Sequence, residues 1–149
     1  MNKRNRQAAG FTLIELMVVI VLVAVLTLVA VPSYEKYIER GDLAHAEAEL
    51  LRLNALLKTE RLREPGELNN EASLKSAFNV LKQDNKVAQK YELSVVMPDS
   101  GSNAYYLLAV PDYYNLTKAV WVDSIGRAYI CENATDAKLF SSAKCQAAN

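Results

Sequence analysis

Residues 11–31 form an apolar run of 21 residues that carries a single charge, Glu15. As a helix the run would be about 31 Å long, enough to cross the hydrocarbon core of a bilayer. The ten residues before it hold Lys3, Arg4 and Arg6 and no acid, which keeps that flank cytoplasmic and sends the remainder across. A cleaved secretory signal fits poorly. The run is too long, it has an acid near its start, and Pro32 closely follows Ala30, the only suitable small-residue cleavage point. A plain anchor has no use for Glu15, because a carboxylate at the bilayer centre costs about 2.5–3.5 kcal/mol on insertion scales. Glu15 is therefore expected to be functional.

The junction reads Gly10-Phe11-Thr12-Leu13-Ile14-Glu15-Leu16. It resembles the prepilin signature of the type IV pilin family, which type II secretion pseudopilins share. The resemblance implies that a prepilin peptidase cuts after Gly10 on the cytoplasmic side and N-methylates Phe11, and that the apolar segment is kept. It also makes Glu15 the acid used in filament assembly. Charge chemistry supplies a reason. Cutting after Gly10 frees a cationic amine on Phe11, one helical turn from Glu15. In a bundle of identical helices the carboxylate can instead reach a neighbour's amine, which removes the penalty of an isolated charge and selects one axial stagger. Losing the leader takes the 17 cations to 14 against 17 acids, so the mature chain stands at −3.

Pro32 lacks an N–H and crowds the preceding turn, so a kink or local opening of the helix is expected there, as is common in type IVa pilins. Those pilins often carry a glycine midway along the segment. Ala24 stands here instead, the stronger helix former by about 1 kcal/mol. From Ser33 the helix turns amphipathic, with Leu43, Ala46, Leu50, Leu53 and Leu57 on one stripe, until Pro65-Gly66 stops it. A short helical patch is expected around residues 73–83. Alternation then takes over at Tyr91, Leu93, Val95 and Met97, followed by a turn at 98–101 and strands at 105–110, 119–122 and 127–131. The expected fold is α+β: a long N-terminal helix packed on one face of a four-stranded antiparallel sheet, with a C-terminal disulfide loop. The expected segments are a leader at 1–10, a transmembrane or filament-core helix at 11–32, and a periplasmic or extracellular head at 33–149 that includes the amphipathic half of the helix.

The chain has two cysteines, Cys131 and Cys145. Export should oxidise them, and closing a loop of about 15 residues is worth about 3 kcal/mol in the chain-entropy model. Within that loop Leu139-Phe140 is an apolar pair that either meets a partner or folds back onto the sheet. His45, without visible partners, reads as surface, and the sequons at Asn115 and Asn133 read as chance matches. Zero net charge argues against nucleic-acid binding. No Ser/His/Asp set, phosphate-cradling glycine loop or His/Cys cluster is present, so no enzyme, cofactor or metal is expected. Asp99, Asp112 and Asp123 are scattered among turns and form no calcium-ligand run.

Residues 86–95, 104–111 and 119–131, together with Glu132-Asn133-Ala134-Thr135, resemble the PilX-type minor pilins of Neisseria. That resemblance implies a low-abundance pilus subunit that modulates bacterial aggregation and adhesion. Its partners would be other pilin subunits, the major pilin among them, the prepilin peptidase, and the inner membrane before assembly. The host cell surface or pilins of neighbouring cells would be met afterwards, on the cell surface. The N-terminal motif also allows a major structural pilin or a type II secretion pseudopilin.

Overall fold

The computed structural model describes residues 10–82, 87–98, 103–112 and 116–148. The basic leader through residue 9, the turn at 99–101 with Asp99, and the sequon residue Asn115 lie outside these. The described chain divides between Ile38 and Glu39 into two compact units, and helix α1 (Leu13–Arg63) contributes to both. In the first unit α1 is apolar and exposed from Leu13 through Val31. Among the described residues it is the one helix long and apolar enough to cross a membrane. The helix continues through Pro32 without a break in its assignment. Thr27 and Ser33 turn their hydroxyls back onto the carbonyls of Ala24 and Val29, at 2.8 and 3.0 Å. Such back-bonding satisfies polar side chains where no water is available.

In the second unit the α1 stripe of Leu43, Ala46, Leu50, Leu53 and Leu57 is at most 5% exposed. Each of those leucines contributes about 1.5–3 kcal/mol by leaving water. Asn54 is the polar exception on this face, and it accepts a 2.6 Å hydrogen bond from the Tyr105 hydroxyl. Pro65 and Gly66 (φ 104°) turn the chain away. Helix α2 (Glu71–Leu81) then starts at Asn70, whose side chain accepts from the Ser73 N–H at 2.8 Å, and it buries Leu74 and Phe78.

Strands β1 (Tyr91–Val96), β2 (Tyr106–Pro111), β3 (Ala119–Asp123) and β4 (Ala128–Cys131) pair antiparallel in chain order. One face of the sheet sends Tyr91, Leu93, Val95, Leu107, Ala109, Val120 and Val122 into a core shared with α1 and α2. The other face is covered too. Leu108, Ala119, Trp121 and Cys131 form a second cluster with Ala137 and Cys145 from the C-terminal loop.

The expected count of four strands is corrected to five. Strand β5 (Gln146–Ala147) pairs antiparallel with Tyr129 and Ile130 of β4. The bridge from Cys131 to Cys145 explains it, because tying Cys145 to the end of β4 brings the next residues back alongside that strand. Two exposed residues carry no alternation that a sequence pattern could reveal.

Candidate functional site

The N-terminal turn of α1 is built by Thr12 and Glu15. Glu15 Oε2 accepts from the Thr12 backbone N–H at 2.9 Å and from its hydroxyl at 2.8 Å, while the Glu15 N–H reaches Thr12 Oγ1 at 3.3 Å. This is a reciprocal capping box, which satisfies donors that the first turn would otherwise leave open. The Thr-x-x-Glu spacing announces it in the sequence, ahead of an apolar run. Reading Glu15 only as a partner for an amine passed over this second role. Phe11 is 90% exposed. A Cβ added at Gly10 would meet nothing within 4 Å, and its φ is not in the left-handed region. The fold therefore places no demand for glycine at that position.

The second candidate region is the C-terminal loop. Cys131 and Cys145 are bonded, with Cα atoms 4.4 Å apart. The loop holds one short helical turn, α3 (Ala134–Ala137), capped by Asn133, whose Oδ1 accepts from the Asp136 N–H at 2.8 Å. The Asn133 amide also donates to Asp136 Oδ2 at 2.9 Å, so this sequon asparagine already has a structural task. Lys144–Asp136 (3.3 Å) and Lys118–Glu132 (3.1 Å) tie the loop further. The apolar pair divides between the two roles considered for it. Phe140, at φ 49°, stacks on Tyr106 with centroids 4.7 Å apart and meets Trp121 edge-on. Leu139 stays 57% exposed.

Loops in this unit are held by charge and by α1. Glu39 Oε1 accepts from the Thr117 N–H and hydroxyl and from the Lys118 N–H. Burial pushes the Glu39 carboxyl up, but these bonds and the Lys118 charge outweigh it and hold it below its usual range. Lys90 Nζ sits 2.7 Å from both oxygens of Asp42. Arg61 donates to the carbonyls of Leu68 and Asn103 and lies over the Tyr105 ring. Burial raises the Tyr105 hydroxyl to about 12 despite that neighbouring cation. His45 is exposed.

Asp123 organises the β3–β4 turn. Its Oδ1 accepts from the N–H groups of Ile125, Gly126 and Arg127, and Oδ2 accepts from Arg127 Nε at 2.7 Å. Gly126 (φ 109°) is required here, because a side chain would be strained in this left-handed backbone. Burial raises the Asp123 carboxyl, but the bonds to Arg127 and Gly126 overcome it and leave it below its ordinary value of 3.8. A carboxyl that titrates lower when folded stabilises fully above its unfolded value, and that stability is lost as pH falls through the lower folded value. Asp123→Asn is thus expected to lower the urea midpoint at pH 7 and to flatten its decline from pH 5 to pH 2. An unchanged pH profile would remove this carboxylate from the acid response.

Residues 36–148 match the family model described as minor type IV pilin, PilX. The chain belongs to the PilX family of minor type IV pilins. Residues 5–31 also match the prokaryotic N-terminal methylation motif. The crystal structure of the minor type IV pilin PilX of Neisseria meningitidis is similar to this PilX-family chain at a TM-score of 0.59 and 29% identity. The match covers 74% of this chain and 99% of that one. The type IV major fimbrial protein FimA of Dichelobacter nodosus is 36% identical over 50 residues, which is 34% of this chain and 32% of FimA. Fimbrial protein EcpC of Eikenella corrodens is 46% identical over 37 residues, 25% of this chain and 24% of its own length. The chain thus spans about a third or less of these curated relatives.

The site residues named from sequence fall into two groups. Gly10 and Phe11 lie just before α1, Glu15 is in its first turn and Pro32 lies within it, and Cys131 and Cys145 are joined. The capping role of Thr12, the hold of Glu39 on Thr117 and the aromatic cluster around Trp121 were not foreseen. Only the first had a sequence signature.

Proposed function

We propose that this chain is a minor subunit of a type IV pilus. In this reading residues 1–10 are removed by a prepilin peptidase and Phe11 is N-methylated. Residues 11–32 hold the precursor in the inner membrane and then enter the filament core. The part from residue 33 onward is displayed at the cell surface, where it modulates aggregation and adhesion rather than catalysing a reaction. The observation that carries the reading is the similarity to PilX over residues 36–148, because this part separates kinds of pilin. The similarity to the major fimbrial protein FimA of Dichelobacter nodosus spans only 50 residues, so it does not favour a major subunit. The bonded loop and its exposed Leu139 supply a defined surface for contacts between fibres or with host cells, multiplied by many copies.

Immunogold labelling of sheared pili tests the assignment. Sparse labelling along the filament is expected, and a chain found only in the membrane fraction would sink it. Processing gives a sharper test. Because the fold makes no use of Gly10 as glycine, Gly10→Val should leave the protein folded and inserted yet uncleaved. Intact mass should report the full precursor, whereas the wild type should begin at methylated Phe11. A correctly processed Gly10→Val chain would contradict the leader reading.

A further inference from the structure

Between the β3–β4 turn and the C-terminal loop lies an open cleft of about 270 Å³, lined among others by Tyr106, Trp121, Arg127, Tyr129 and Phe140. Three features of this cleft are left unexplained by the fold. Trp121 is 3% exposed, and its indole N–H is buried with no hydrogen-bond acceptor. Native structures rarely leave a buried donor unpaired, and doing so costs about 1–3 kcal/mol. Phe140 holds a left-handed backbone, φ 49°, a strain that collects at ligand sites. Arg127 is held by Nε on Asp123, and its two terminal amino groups have no acceptor among the described residues.

We propose that this cleft binds a carboxylate-bearing sugar residue. The chemistry of the wall selects the class. Its accessible side-chain donors are the Arg127 amino groups and the hydroxyls of Ser124 and Ser142, which also line it, while the indole N–H is buried and is reached only when a ligand shifts the side chains that cover it. A ligand must therefore be rich in acceptors and carry negative charge. Asp123 faces it with both oxygens engaged, by three backbone N–H groups and by Arg127 Nε, so the ligand's carboxylate meets the outer amino groups of a guanidinium that already balances one acid. The walls are aromatic, with Trp121 stacked on Tyr129 at 4.2 Å and Tyr106 on Phe140 at 4.7 Å. The half-buried rings of Tyr106, Tyr129 and Phe140 keep part of their surface open, where the polarised C–H groups of a pyranose can pack, and a bare phosphate would make no use of it. The volume falls just below the range of drug-sized ligand pockets and suits no more than one ring. A peptide is disfavoured because β2, β3 and β4 pair with one another here and leave no strand edge to extend. The proposal goes beyond membership of a pilus and stands on the cleft alone.

The protein contains one tryptophan, so a single indole N–H resonance reports directly on the site. Full-length protein in detergent micelles is titrated with glucuronate, glucose, acetate, inorganic phosphate and an acidic tetrapeptide. Glucuronate is expected to move the indole signal saturably, with glucose weaker by about tenfold, as for loss of a charged hydrogen bond. Arg127→Gln should weaken glucuronate by about the same factor and leave glucose unchanged. Should Arg127→Gln disturb the Asp123 turn, Ile125→Glu serves in its place. Ile125 is 71% exposed and lines the rim, and its variant should weaken glucuronate and leave neutral glucose unchanged. An unmoved indole signal overturns the proposal and leaves the donor to a bound water. An equal response to acetate or phosphate overturns it in favour of simple charge attraction. A response to the peptide without one to glucuronate overturns it in favour of a protein partner.

Discussion

Glu15→Val is expected to leave the protein inserted in the inner membrane and to remove it from sheared pili. The variant deletes the one acid in residues 11–31, so insertion becomes easier. Assembly becomes harder for the same reason. On the proposed processing, cleavage leaves a cationic amine on Phe11 beside an apolar bundle, and without a carboxylate that amine enters unpaired. Removing one partner of an ion pair that assembly buries is strongly destabilising, so incorporation is expected to fall by on the order of 10²-fold or more. Immunoblots of sheared pili against membrane fractions, with wild-type major pilin present, measure the ratio. Thr12→Val provides the contrast. It loses the hydroxyl of the capping box, a change of about 1 kcal/mol, and retains Glu15 for the amine. Its incorporation should fall far less. Equal losses in the two variants would assign Glu15 to helix capping alone.

The second large effect is expected from replacing Cys131 and Cys145 together by serine. Loss of a native bridge in a small exported domain typically costs about 2–5 kcal/mol. Here the consequences extend beyond the loop. Cys131 and Cys145 belong to the cluster that covers Leu108, Ala119 and Trp121, and β5 pairs with β4 directly after the bridge. Freeing the loop therefore exposes an aromatic sheet face. Urea unfolding should show a midpoint lowered in proportion, and Trp121 fluorescence should shift red before global unfolding. Reduction of the wild type should reproduce both changes. A variant as stable as the wild type, with an unshifted spectrum, would show that packing alone holds the loop.

Periodicity made the α1 stripe and the alternating strands legible because each obeys one geometric rule. Leu43 to Leu57 follows the helical repeat, and Tyr91 to Met97 follows the pleat, so their burial could be read directly. The motif at Gly10 to Glu15 was legible because unusual residue types coincide within one turn. What escaped has a different physical character. The second cluster depends on which side chains the bridge delivers to the outer sheet face, and Ala137 or Phe140 carries no periodic mark of that. The contacts of Glu39 with Thr117 and Lys118 join residues 78 and 79 positions apart, and no local pattern encodes them. The loop pair was open in the sequence because one residue points in and the next points out.

The ties between α1 and the rest of its unit have a mechanical consequence. Glu39, Asp42, Asn54, Lys58 and Arg61 bond to four other segments of the chain, with Asn54 and Arg61 sharing residues 103–105. They are spread along about 33 Å of helix. A pull directed along the helix axis loads these bonds in parallel, as a shear, and does not open them one after another like a zipper. Rupture then requires several bonds and the leucine stripe to give way together. A tensile load on the helix is resisted by the whole second unit at once, while a sideways pull at Glu39 meets only the first bond in the row.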